Sequence, residues 1–188
     1  TVPTDDTPNP TQGQGNVAMG GGCQAFKDCS FALGSGCRSY GSFSFAMGGG
    51  STAYGSNSFA LSSASSYGAN SFACGGGCKS YGAYSFACGV GVESYGDFSF
   101  ACGENVLTRQ QHQFAIGKYN TDDQNGKFAF AIGNGNYDSD TKKENRSNAI
   151  AVDWQGKIYV NNSETGVDVL DLLNRITALE EKVAALTS

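Results

Sequence analysis

Apolar positions return along this chain with a nearly fixed step. From Asn16 to Gly133 one phrase recurs: an aromatic or aliphatic residue, then Ala, then an apolar residue, then in most copies Gly. The central residue is Ala18, Ala32, Ala46, Ala60, Ala73, Ala87, Ala101, Ala115 and Ala131, so the steps are 14, 14, 14, 13, 14, 14, 14 and 16 residues. Phe precedes Ala in every copy but the first, and Met, Leu, Cys or Ile follows it. Half a period later stands a second phrase, clearest at Ser39-Tyr40-Gly41, Ala53-Tyr54-Gly55, Ser66-Tyr67-Gly68, Ser80-Tyr81-Gly82 and Ser94-Tyr95-Gly96. Each period therefore predicts two short strands joined by Gly-rich corners. A unit this short buries no face alone, and its copies must stack into a solenoid.

Strand alternation sorts the side chains into two sets. Phe31 and Leu33 share one side, and Ser30 and Ala32 the other. In the second strand Cys37 and Ser39 share a side, with Arg38 and Tyr40 opposite. The column Cys23, Cys37, Ser51, Ala64, Cys78, Val92 is uniformly small. A thin coil is expected to set large residues against such a wall, which places the Phe and Met/Leu/Cys columns inside and the Ala and Tyr columns outside. An outward column of Ala repeated this regularly predicts close approach of a second copy, with Ala32, Ala46, Ala60, Ala73 and Ala87 at the contact.

Beyond the repeats the periodicity changes twice. Ile150, Val152 and Trp154 alternate with Ala151 and Asp153, Gln155-Gly156 marks a turn, and Ile158 and Val160 resume the alternation, which predicts a hairpin. The charged stretch from Asp138 to Arg146 before it reads as a solvated loop. Val169, Leu172, Ile176, Leu179, Val183 and Leu186 then follow at spacings 3, 4, 3, 4 and 3, an a/d seam that predicts a coiled-coil helix. The expected divisions are a linker over 1–15 holding Pro3, Pro8 and Pro10, the repeats over 16–133, a loop-and-hairpin connector over 134–166, and the coiled coil over 167–188.

Composition narrows the function. The 188 residues carry a net charge of −5, only 15% charged residues and 27 Gly, which suits a repeat fibre and argues against a nucleic-acid partner. The chain starts at Thr1 with no Met, signal peptide or membrane-spanning run, and reads as a fragment or processed product with no membrane insertion in this stretch. The seven Cys follow the repeat: Cys74, Cys88 and Cys102 stand where other copies have Leu or Ile, and Cys23, Cys37 and Cys78 fill the small column. They are expected to be reduced, small buried hydrophobes. Cys29 is the exception, at the corner position held elsewhere by Phe43, Asn57, Asn70, Tyr84 and Phe98. With His112 the sole His and no Cys-x-x-Cys pair, no zinc site is expected. In "NTDDQNG", alignment with a calcium loop puts Thr121 and Ile132 where carboxylates are required, so a polar corner insertion is the reading there. No paired acids, catalytic triad or phosphate loop emerges, and neither catalytic residues nor a cofactor is expected.

The stretch "CSFALGSGCRSYGSFSFAMGGGSTAYGSNSFALSS" resembles the YadA-like head repeat of trimeric adhesins, over roughly residues 16 to 133, with Phe for Val and in three copies Cys for Ile. That resemblance implies an all-β fold, a left-handed parallel β-roll three chains wide. "RSNAIAVDWQGKIYV" is similar to a segment that follows such repeats in bacteriophage and prophage tail-fibre and baseplate proteins. In the helix the seam alone favours two strands. Arg175 to Glu180, however, resembles the Arg-h-x-x-h-Glu trimerisation motif, and it agrees with the roll. The function expected is a non-enzymatic homotrimeric fibre of a phage or prophage tail that attaches to the host. Its partners would be a cell-surface glycan or protein receptor and other tail or baseplate proteins. It would sit on the virion tail or at the cell surface. A bacterial adhesin head and a polysaccharide-degrading tailspike are the alternatives. Tyr40, Tyr54, Tyr67, Tyr81 and Tyr95 form a candidate ligand ladder, with the irregular regions 104–113, 119–127 and 134–146 as the competing location for specificity.

Overall fold

The computed structural model describes residues 13–161 and 169–187, without the side chains of 169, 170 and 187, so most of the expected linker and the seam position Val169 lie outside the described residues. The repeats form a parallel β-solenoid of two sheets. One sheet has eleven strands, the first nine parallel, and is closed by the antiparallel strands Asn148–Asp153 and Ile158–Val160. The other has seven two-residue strands, from Gln24–Ala25 to Leu107–Thr108. Equal positions of successive repeats pair across the rungs: Phe31 with Phe45, Ala32 with Ala46, Leu33 with Met47. The 13-residue step is absorbed in one corner, where Leu61-Ser62-Ser63-Ala64 replaces the Gly48-Gly49-Gly50 bend and Ser62 and Ser63 take φ of +58° and +66°.

The inside and outside of the large sheet are the reverse of expectation. Ala32, Ala46, Ala60, Ala73, Ala87, Ala101 and Ala115 are fully buried within the single chain, whereas Phe31, Phe59 and Phe114 are exposed and Cys74, Cys88 and Cys102 half-buried. The Ala column thus faces the coil's own interior, opposite Cys37, Ser39, Ala53 and Ser66, and offers no surface to a second copy. The physical reason is the length of the rung. Strands of three to seven residues facing strands of two, joined by tight corners, leave a gap so narrow that Val92 and Val106 are the largest apolar side chains fully buried in it. Eight phenyl rings do not fit. The second strand is oriented as predicted, with Cys37, Ser39 and Cys78 inside and the Tyr side chains outside.

Because the interior is small-on-small, polar groups finish the packing. Ser39 and Ser44 hydroxyls meet at 2.5 Å, Ser66 and Ser71 at 2.6 Å, Ser80 and Ser85 at 2.5 Å, and Ser94 and Ser99 at 2.6 Å. The second Ser of each pair also donates to a corner Gly carbonyl, as Ser71 does to Gly68 at 2.6 Å. At that corner the rungs touch: a Cβ on Gly68 would lie 1.9 Å from the Gly82 oxygen, so only Gly fits there.

The small sheet ends on a side chain. The Asn120 amide accepts from Leu107 N–H at 2.7 Å and donates to Leu107 C=O at 2.8 Å, imitating the strand that would come next. The Asp138–Arg146 stretch, expected to be a loop, contains an exposed hairpin pairing Asn136–Asp138 with Lys143–Asn145. Arg146 holds its base, donating to the Asn105 and Asn120 carbonyls at 2.8 and 3.3 Å. The later hairpin turns at Gly156, as the sequence predicts. Val169–Thr187 is a helix of 19 residues.

Candidate functional site

Three aromatic columns run along the outside of the roll. On the large sheet, Phe31, Phe45, Phe59, Phe72, Phe86, Phe100, Phe114 and Phe130 form one, beside the Met/Leu/Cys/Ile column. From Phe31 to Phe72 the rings are about 30° apart with centroids 5.9 to 6.4 Å apart. From Phe72 to Phe114 they lie flat on one another, as Phe86 does on Phe100 at 4.7 Å and 2°.

On the small sheet, Phe26, Tyr40, Tyr54, Tyr67, Tyr81 and Tyr95 stack with centroids 4.5 to 5.1 Å apart and planes within 10°. The five predicted tyrosines do come together. Their faces, however, are spent on each other, and the far end is closed by the Arg109 guanidinium, 4.3 Å from the Tyr95 ring centre. Only ring edges and hydroxyls are left for a ligand, so the ladder acts first as a spine of the roll. Polar groups bind its last rungs: Lys79 pairs with Glu93 at 2.9 Å, Glu93 accepts a short hydrogen bond from the Tyr95 hydroxyl, and Arg109 grips Asp122 through two bonds of 2.7 and 2.9 Å. Burial pushes the Tyr95 phenol up, with the Glu93 carboxylate adding to it. Arg109 holds the Asp122 carboxyl below the usual range. Burial would raise Glu93, but its bonds to Tyr95 and Lys79 outweigh that and lower it.

The third column was visible in the sequence only as corner variation. Cys29, Phe43, Asn57, Asn70, Tyr84, Phe98 and His112 occupy it, all with φ between +51° and +57°. Asn accepts this left-handed conformation readily, whereas a bulky aromatic residue held there costs about 1–3 kcal/mol. Phe43, Tyr84 and Phe98 nevertheless stand there, 60%, 56% and 53% exposed. Tyr84, Phe98 and His112 stack at 4.9 and 5.1 Å.

The remaining candidates resolve into structural roles. The Asp123 carboxylate accepts from Lys127 N–H at 2.9 Å, Phe128 N–H at 2.8 Å and Gln113 Nε2 at 3.1 Å, so its oxygens organise the corner insertion. Asp153 likewise takes Gln155 and Lys157 N–H groups and the Tyr159 hydroxyl. Among the described residues no three metal-ligating side chains converge. The seven cysteines are free; Cys37 and Cys78 are buried as expected, and burial raises the thiols of Cys37, Cys74 and Cys78. Cys74, Cys88 and Cys102 are not in the interior but half-exposed in the outer apolar column. On the helix, Leu172, Leu173, Ile176, Leu179, Val183 and Leu186 are all exposed. No helix among the described residues is long and apolar enough to cross a membrane.

No protein-family model and no curated protein matches the chain.

Proposed function

We propose that this chain forms a non-enzymatic homotrimeric fibre of a bacteriophage or prophage tail, which attaches the particle to the bacterial surface. The observation that carries the assembly is the apolar outer face of the large sheet. Three of its eight phenyl rings are 37% to 44% exposed and the other five are half-buried, which leaves on the order of 400 Å² of aromatic surface. That alone equals the largest patch on an ordinary monomer, and the Met/Leu/Cys/Ile column brings the total toward the roughly 800 Å² per partner of a stable interface. A surface with a rise of about 4.8 Å per rung is best matched by one with the same period, which is another copy. The helix carries a second apolar stripe with its own self-matching heptad period. Three copies, rather than two, rest on the Arg175 to Glu180 motif and on the resemblance to the YadA-like head, which also supplies the left-handed sense of the roll.

In this reading the contact is made by the Phe column and its Met/Leu/Cys/Ile neighbours, with Leu172, Ile176, Leu179, Val183 and Leu186 in the helix. The phage setting is supported by the resemblance of residues 146–160, and the non-enzymatic reading by the engagement of Glu93, Asp122, Asp123 and Asp153 in structural bonds. The roll repeat by itself equally favours a bacterial adhesin head. Tail and lysis genes beside the coding sequence would point to the fibre, and their absence together with a downstream membrane β-barrel to the adhesin. Light scattering is expected to give three copies, with Cys74, Cys88 and Cys102 slow to label in the native assembly. Labelled trimer should adsorb to host cells. A monomer, or rapid labelling of these three thiols in the native protein, refutes the assembly.

A further inference from the structure

The aromatic corner column is interrupted. Tyr84 lies on Phe98 with centroids 4.9 Å and planes 2° apart, so one of its faces is covered. The other turns toward the rung of Asn70, where no ring stands. Asn70 and, one rung further, Asn57 are exposed, and Phe43 follows. Three steps of about 4.8 Å put Phe43 and Tyr84 about 14 Å apart, with a notch two rungs high between them. Beside it, on the side away from the Phe column, lie the most open rings of the tyrosine ladder, Tyr54 and Tyr67, 45% and 39% exposed. The backbone N–H groups of Asn57 and Asn70 donate to Ser42 and Ser56 carbonyls at 2.9 and 2.8 Å, while their side-chain amides form no hydrogen bond with any described residue. From Ser42 to Tyr84 both columns of this corner, Ser42, Ser56, Ala69 and Ala83 beside Phe43, Asn57, Asn70 and Tyr84, are uncharged.

We propose that this notch is a saccharide subsite: a neutral pyranose ring lies on the free face of Tyr84 at the level of Asn70, with its hydroxyls on the Asn70 and Asn57 amides. An aromatic face takes the C–H face of a sugar through its negative quadrupole. Each amide brings two donors and an acceptor to hydroxyls that also need both. The sugar continues the stack at the spacing the protein already uses between Tyr84 and Phe98. A ring is kept at Tyr84 against its backbone preference, one rung above a site where Asn sits without strain. The nearest charge in the corner is the Asp97 carboxylate, which accepts from the Ala83 N–H at 2.8 Å and disfavours an acidic unit. The inference rests on the attachment reading and names the class of receptor.

The test uses the assembled full chain and a panel of neutral oligosaccharides of glucose, galactose, mannose and N-acetylglucosamine, followed by saturation-transfer NMR. At least one is expected to bind, with Tyr84→Phe within about twofold and Tyr84→Asn about tenfold weaker, the worth of one aromatic contact. Asn57→Tyr combined with Asn70→Tyr, which together complete the ladder and fill both rungs of the notch, should abolish binding. Tyr84→Asn is expected to assemble normally, since Asn holds the same corner in two rungs. Failure of the whole panel, or a Tyr84→Asn variant that binds as well as the parent, overturns the subsite. If that variant adsorbs to host cells undiminished, the notch is not the receptor site while attachment stands. A parent trimer that does not adsorb to host cells refutes the attachment reading itself.

Discussion

One rung of the roll lacks a hydrogen bond that its neighbours have. The Ser58 hydroxyl is fully buried and is the one buried side-chain oxygen among the described residues with no partner. Its counterparts Ser44 and Ser71 are paired with Ser39 and Ser66. The position that should pair with Ser58 is Ala53, which lies in register between Ser39 and Ser66. Ala53→Ser should therefore recreate a contact already made one rung below and one rung above, in a space of known shape. A buried hydroxyl without a partner costs about 1–3 kcal/mol, and a completed bond contributes about 0.5–1.5 kcal/mol net. The substitution is expected to stabilise each chain by about 1 kcal/mol or somewhat more. Ser58→Ala, which removes the orphaned group, should be neutral or slightly stabilising, whereas Ser71→Ala, which orphans Ser66 and a corner carbonyl bond, should lose about 1–3 kcal/mol. Urea midpoints compared at one protein concentration and equal m-values provide the measurement, since association is linked to stability. A lowered midpoint for Ala53→Ser, or equal losses for Ser58→Ala and Ser71→Ala, would refute the reasoning.

The Gly corners and the Arg109–Asp122 pair can each be tested by substitution. Gly68→Ala places a Cβ 1.9 Å from the Gly82 oxygen and should prevent the roll from closing, while Gly76→Ala, with nothing within 4 Å, should leave the circular dichroism melt unchanged; equal effects would remove the steric argument. Asp122 and Glu93 both have lowered folded-state pKa values, so their contribution is present above the unfolded carboxylate range and is lost as pH falls below about 4. Asp122→Asn should flatten the acid side of the stability profile, and an unaltered profile would show that the Arg109 pair contributes nothing.

The period, the two strands per rung and the corners were legible because parallel in-register pairing puts equal positions side by side. Alternation fixed which residues share a side, but not which side is inside. The habit of placing Phe indoors decided wrongly. A signal was present in the sequence: from Ser30 onward the side holding Ala32 also holds Ser44 and Ser58 and stays small until Gln113. The other side carries Phe in eight copies beside a position that ranges from Cys to Met. A side kept uniformly small marks the confined interior of a thin rung, and a side with a ring in every rung marks its surface. The stacked tyrosines were predicted, but not that stacking would use up their faces, because that depends on ring orientation. The Asn120 cap and the Arg109 closure join positions 13 apart only once the corner insertion has bent the chain. The corner column was noted only as the exception at Cys29, and its left-handed backbone has no mark in a string of letters.

The two kinds of corner also differ in what they permit over evolutionary time. Gly68 and its equivalents lock each rung to the next through backbone contact, whereas the opposite bend is one residue shorter at Ser62-Ser63 without disturbing the pairing of Leu61 with Cys74. Length changes are thus filtered: single-residue indels survive on one edge, and elsewhere the chain accepts or discards whole rungs. Unequal recombination between near-identical repeats supplies such steps. The length of the roll becomes a quantity adjusted in increments of about 4.8 Å, with the end caps and the surface rings kept intact.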